Sequence, residues 1–163
     1  IQENSTAIME QQPDAMEEVI YRSCLIKREV VERDPKEQGE RALLNFGHTI
    51  GHAIEKLSDF TIYHGECVAI GMAGAAYISY QMGNLTKEEL DKLKDIIRSY
   101  GLPVSLKGFP HTAEEILAAT KLDKKMESGK VKFIVLKTLG ESCITKALTD
   151  EEILSGIIHI MEQ

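Results

Sequence analysis

Apolar residues recur every three to four positions along most of the chain, separated by short polar punctuation, which is the pattern of a mainly helical protein. After Pro13, a residue suited to a first helical turn, the positions Met16, Val19, Ile20, Cys24, Val30 and Val31 follow a helical period. Arg33-Asp34-Pro35 closes that segment, because the residue before a proline avoids the α region. Residues 1 to 12 are polar around Met9 and read as a ragged end or the remnant of a preceding helix. From Cys67 to Ile78 the chain is apolar nearly all round, which predicts a central helix packed through small residues. Thr86-x-x-Glu89, Thr112-x-x-Glu115 and Thr149-x-x-Glu152 are capping boxes, each opening a further helical run. Alternation from Val131 to Leu136, the turn Leu139-Gly140-Glu141 and the run Ser142 to Thr145 predict a β-hairpin. The expected architecture is a mainly α bundle of about six helices with one small β-hairpin, forming a single domain over residues 1–163.

Composition narrows the function more than the fold. A chain of 163 residues, 43% hydrophobic, is enough for one compact domain. A formal net charge of −7 argues against a nucleic-acid surface, which carries a basic stripe. No apolar run reaches the length of a membrane span, and no signal-peptide pattern opens the chain. Cys24, Cys67 and Cys143 are scattered and odd in number, so they read as free thiols of a reducing compartment, the cytoplasm, rather than a disulfide framework.

The chemistry concentrates between Leu43 and Glu66. His48 and His52 are four residues apart, so on a helix both imidazoles leave one face. His64 follows at the start of the next helical pattern, and two antiparallel helices joined there return it towards His48. Three histidines that converge, with Glu55 and Glu66 nearby, are the residue types of a zinc site, although a histidine pair at this spacing also fits a hydrogen-bonded, partly buried role. Gly47 and Gly51 repeat the same spacing, and each costs about 1 kcal/mol relative to Ala inside a helix. Something must approach that backbone closely, either a helix or a ligand. Elsewhere, Lys27 inside the apolar stripe reads from the pattern as a snorkelling lysine, 36–41 as a solvated flexible loop and 121–125 as a basic turn. His111 reads as a surface residue and His159 as a structural one.

The string Arg41-x-x-Leu44-Asn45-Phe46-Gly47-His48-Thr49-Ile50-Gly51-His52-Ala53-Ile54-Glu55, followed by His64-Gly65-Glu66-x-Val68-Ala69-Ile70-Gly71-Met72, resembles the signature of the 3-dehydroquinate synthase family. The resemblance covers most of the chain. It implies the helical C-terminal domain of that enzyme, with the N-terminal NAD-binding domain outside this chain as its partner, and it admits a homodimer. It implies zinc or cobalt held by His48 and His64, with NAD bound mainly by the other domain. His52, Lys27, Arg41 and Asn45 become the expected catalytic residues. Glu37 and Lys125, together with Lys27, Arg41, Asn45 and His52, become the expected substrate contacts, leaving Lys124 as the competitor of Lys125.

Arginine offers a planar fork of donors to phosphate or carboxylate, and asparagine both donates to and accepts from hydroxyls, which suits a phosphorylated polyhydroxy acid. The implied reaction converts DAHP to 3-dehydroquinate with loss of phosphate. One departure stands out: the family's third zinc ligand is a glutamate upstream of the segment matching Lys27, and this chain begins after it. Two other readings remain. One is another sugar phosphate cyclase, or more distantly a metal-dependent polyol dehydrogenase; the other is a helical binding or oligomerisation module without chemistry.

Overall fold

A computed structural model describes residues 2–122, 126–127 and 130–162, and the chain divides into two compact units, Ile1–Leu44 and Asn45–Gln163. In the first unit a 3-10 turn over Gln2–Asn4 leads into α1 (Ser5–Met9), which packs on α2 (Pro13–Arg33). Proline at the first turn and Asp34-Pro35 at the end bound α2 as the sequence predicts. Its apolar stripe is a different matter. Val30 is the buried residue of α2, while Ile20, Tyr21 and Ile26 are exposed. Periodicity reports which residues share a face, but burial also needs a partner for that face.

The segment after α2, read as a flexible loop, is an organised turn. The Asp34 carboxylate accepts from the backbone N–H groups of Gln38, Gly39 and Arg41 at 2.9, 2.8 and 3.0 Å, and these donors hold its pKa below the ordinary carboxylate value. Arg33 donates to both oxygens of Glu40, at 2.9 and 2.7 Å. A 3-10 helix then runs over Glu40–Asn45.

The second unit holds the other helices: α3 (His48–Leu57), α4 (His64–Gln81), α5 (Lys87–Ser99), α6 (Ala113–Thr120) and α7 (Asp150–Met161). Short strands β1 (Met126–Glu127) and β2 (Lys130–Val131) pair antiparallel, as do β3 (Phe133–Thr138) and β4 (Glu141–Thr145). The fold is therefore mainly α, as expected, with a second, two-residue pairing beside the expected hairpin. α3, α5, α7 and β3 all pack on α4, and α6 packs on α3 and α7. With Ile70, Ala73, Ala75, Ala76 and Ile78 all buried, α4 is the centre of the core.

Local chemistry starts three of these helices. The hydroxyls of Thr86, Thr112 and Thr149 each accept from the N–H of Glu89, Glu115 and Glu152 at 3.2 Å. In return the three carboxylates accept from the threonine N–H groups at 2.8, 2.9 and 2.7 Å. Each cap contributes about 1 kcal/mol and does so without tertiary contacts.

Packing around α4 depends on small residues. A Cβ on Gly71 would sit 2.1 Å from the carbonyl oxygen of Gly47, and one on Gly156 would sit 2.7 Å from the Ile78 side chain. The ligand or helix that the glycine spacing called for is thus a helix. On the β3 side, the buried Ser79 hydroxyl donates to Ala75 O at 2.8 Å and accepts from Leu136 N at 2.9 Å, while the Asn84 amide donates to Leu136 O at 2.9 Å. Phe133, Ile134, Val135 and Leu136 are all buried, so successive side chains of this strand of the expected hairpin are covered. Covered on both faces, it draws on Lys132 and Lys137 at its ends for polarity.

Where α4, α5 and α7 meet, the His159 ring stacks on Tyr77 with centroids 3.7 Å apart and 10° between planes. Nζ of the buried Lys94 lies 3.5 Å from His159 Nε2. Burial, then Lys94 and Lys87, push the His159 pKa from 6.5 down to about 4, with Asp91 opposing. Two bases share this corner.

Gly71→Ala is expected to destabilise the chain by roughly 1–3 kcal/mol or more, because a fixed backbone oxygen cannot move aside. Gly65→Ala, with nothing within 4 Å of the added carbon, should stay within about 1 kcal/mol of the parent. Thermal melts of both variants test the contrast, and equal melting temperatures would refute the close approach. A second expectation concerns pH. A depressed folded-state histidine pKa means that the unfolded chain takes up the proton first, so stability is full above about 6.5 and falls as pH drops towards 4. His159→Phe keeps a ring on Tyr77 and should flatten denaturant-measured stability across that window. An unchanged slope would remove His159 as its source.

Candidate metal centre

Gly47 is the N-cap of α3 in the left-handed region, at φ 82, so it precedes the helix rather than lying within it. A side chain there would also meet Met72 N at 2.6 Å and Val68 O at 2.8 Å. Glycine therefore serves the turn and the packing at once. The close contacts pair Gly47 with Met72 and Gly51 with Cys67, so α3 and α4 run antiparallel. Between them, Asp59 and Phe60 both take positive φ, at 49° and 59°. Thr61 Oγ1 donates to Ser58 O at 2.7 Å, helping to close the reversal.

This geometry brings the three histidines together. His48 and His52 sit one turn apart on α3, with ring centroids at 5.3 Å, and His64, the first residue of α4, lies 5.5 and 5.7 Å from them. One potential ligand atom from each falls within 4.8 Å of the others. Nitrogen ligands at roughly 2.0–2.1 Å from a tetrahedral zinc stand about 3.4 Å apart, so small rotamer changes would close the set. Imidazole donors suit zinc or cobalt. The residues present fit such an ion.

The surrounding contacts bias these rings. His48 Nδ1 lies 3.3 Å from Phe46 O, and His64 Nδ1 lies 3.2 Å from each Glu55 oxygen. Glu66 accepts from the Tyr63 N–H at 3.1 Å, capping α4. Neither glutamate belongs to the convergent ligand set. Beneath the histidines the buried Cys67 thiol is pushed up to about 11, by burial first and then by Glu55 and Glu66, so it stays protonated at neutral pH. A cavity of about 430 Å³ beside the cluster is lined by His52, Ala53, Glu55, Lys56, Phe60, Ala119 and Leu122.

The other expected site residues fall in several places. Asn45 is half-buried at the end of the 3-10 helix, three residues before His48. In the first unit, Lys27 is exposed on α2, Glu37 is exposed at φ 55, and half-buried Arg41 donates from Nη1 to Pro35 O at 3.0 Å. Lys125 and its competitor Lys124 lie outside the described residues. His111 pairs with Glu115 at 3.1 Å and His159 stacks on Tyr77, in keeping with the surface and structural roles read from the sequence. Sequence reasoning passed over the Glu55 contact with His64. Its signal was available, since Glu55 stands at i+7 from His48 on the same helical face.

The family model described as 3-dehydroquinate synthase C-terminal matches residues 1–126. A 3-dehydroquinate synthase of Acinetobacter baumannii is 40% identical over 159 residues, covering 97% of this chain and 44% of the relative. One from a Synechococcus species is 44% identical over 146 residues, covering 86% and 39%. The chain thus spans less than half the length of these curated relatives. Among solved structures, a 2-epi-5-epi-valiolone synthase from Streptomyces hygroscopicus, with NAD+ and Zn2+ bound, aligns with a TM-score of 0.81 at 24% identity, covering 96% of this chain and 44% of that one. A 2-deoxy-scyllo-inosose synthase complexed with carbaglucose-6-phosphate, NAD+ and Co2+ aligns at 0.67 and 23% identity, covering 77% and 36%. At these identities the structural matches speak for the fold alone.

The thiols provide a check on the interior of this site. Cys24 is exposed, Cys67 buried and Cys143 half-buried, and none is in a disulfide. In the folded chain Cys24 should alkylate readily while Cys67 resists, and all three should react once the chain is denatured without reductant. Rapid labelling of Cys67 in the native chain would contradict the packing of α3 on α4.

Proposed function

The chain belongs to the 3-dehydroquinate synthase C-terminal family, and from that premise we propose that it forms the metal- and substrate-binding part of a 3-dehydroquinate synthase. The observation that carries the reading is the convergence of His48, His52 and His64, whose ring nitrogens come within 4.8 Å of one another, near enough for His48 and His64 to share an ion and for His52 to face what the ion binds. The reaction is the conversion of DAHP to 3-dehydroquinate with elimination of inorganic phosphate, the step that closes the carbocycle in aromatic amino acid biosynthesis. NAD, held mainly by residues outside this chain, would supply the redox chemistry of the reaction. Zinc or cobalt, when bound, supplies Lewis acidity that favours the alkoxide form of the hydroxyl being oxidised.

The chain's own residues divide the remaining work. His48 and His64 hold the metal through imidazole nitrogens. His52, on the same helical face, holds or moves a proton on a substrate oxygen. Lys27, Arg41 and Asn45 orient the anionic, hydroxyl-rich substrate, with Glu37 and Lys125 as further contacts. The cavity beside His52 sets the charged Glu55 and Lys56 against an apolar wall of Ala53, Phe60, Ala119 and Leu122.

A second reading, another sugar phosphate cyclase, draws on the fold shared with the valiolone and inosose synthases. Identity near 40% to curated 3-dehydroquinate synthases favours the first.

The test is phosphate release from DAHP by the gene product that carries this chain, supplied with NAD and zinc. His52→Ala should lower turnover by about 10²–10⁴-fold while leaving metal binding in place. His48→Ala and His64→Ala should lower metal affinity itself. Formation of a valiolone-type or inosose-type ring in place of dehydroquinate would transfer the protein to the second reading.

A further inference from the structure

We propose that Glu55 is a positioning residue of the metal site, fixing the tautomer and orientation of His64 so that its Nε2 is offered to the ion. Both carboxylate oxygens lie 3.2 Å from His64 Nδ1. An ionised carboxylate only accepts, so the proton of a neutral His64 sits on Nδ1 and the lone pair on Nε2. The inference rests on the metal-binding reading above and assigns a task to a residue outside the ligand set.

Three observations support it. Glu55 shares one face of α3 with His48 and His52, at i+7 and i+3, so the helix that presents two of the imidazoles also carries the group that orients the third. Its side chain is only 19% exposed, whereas that of His64 is 53% exposed at the first position of α4. The better-ordered partner therefore holds the freer one, and partial burial reduces the screening of their contact. Finally, the same arrangement recurs at His48, where Phe46 O, also an acceptor only, faces Nδ1 at 3.3 Å. Both proposed ligands thus have Nδ1 facing an oxygen that only accepts, which places the lone pair of the neutral ring on Nε2.

The carbonyl at His48 is fixed by the left-handed Gly47 turn, which no side-chain exchange removes. The carboxylate at His64 can be removed. Residues that hold the second nitrogen of a metal-bound histidine typically change metal affinity by about 10–100-fold.

The experiment is cobalt titration of the metal-free gene product that carries this chain, read from the cobalt absorption bands, with Glu55→Ala and Glu55→Gln beside the parent. Thermal melts establish that the variants fold. Alanine should weaken cobalt binding by about 10–100-fold, and glutamine, which keeps an acceptor for Nδ1–H, should restore most of the loss. Nitrogen NMR of the metal-free parent at about pH 8, where an ordinary imidazole is neutral, should find His64 as the Nδ1–H tautomer. That measurement needs no variant. Normal cobalt affinity in Glu55→Ala, or an Nε2–H tautomer in the parent, would overturn the positioning role while leaving the metal site standing. A parent gene product that binds no cobalt would instead overturn the metal reading, and with it the task given to Glu55.

Discussion

The antiparallel approach of α3 to α4 is the constraint from which the site follows. Gly71 passes so close to the Gly47 carbonyl that any side chain would collide with backbone, and Gly51 packs against the Cys67 peptide, where an added Cβ would stand 3.0 Å from the carbonyl oxygen. Backbone contact of this kind fixes the relative height of two helices far more firmly than interdigitated leucines do, because neither surface can yield. His48 and His52 on one helix and His64 at the start of the other then meet as a matter of register. A small axial slip would separate the imidazoles by more than a metal can span.

Two levels of organisation are superposed on that contact. The starts of α5, α6 and α7 are set locally by threonine–glutamate boxes, which need nothing from the site. The start of α4 is different, since the residue that opens it is also a proposed ligand and is held by Glu55 from α3. Helix initiation and metal-site construction coincide there. Cys67, three residues on, is buried and stands outside the convergent set of His48, His52 and His64.

How much of this was legible in the sequence depended on the range of the interaction involved. Capping boxes join residues three positions apart, and all three read correctly. The histidine spacing and the glycines pointed to convergence and close approach, and the family resemblance gave the ring of roles. What the sequence obscured was tertiary. Gly47 looked like a helix-interior glycine because the helix start depends on a left-handed turn that periodicity does not register. The apolar face of α2 suggested burial that, on this helix, only Val30 attains. Residues 36–41 read as loose because their order comes from Asp34, whose carboxylate gathers N–H groups across the turn.

The all-round burial of α4 has a consequence for biogenesis. A helix with no polar face has no state in which it is content alone in water, and its covering elements arrive at very different times. α3 is made just before it and can pack at once. β3 and α7 come later, after α5 and α6 have been synthesised, so the Gly74 and Ser79 surfaces of α4 stay uncovered while much of the chain is still emerging. During that interval the nascent protein presents a sticky apolar rod to its neighbours, which makes slow translation or high local concentration a hazard and chaperone occupancy of this segment a natural requirement.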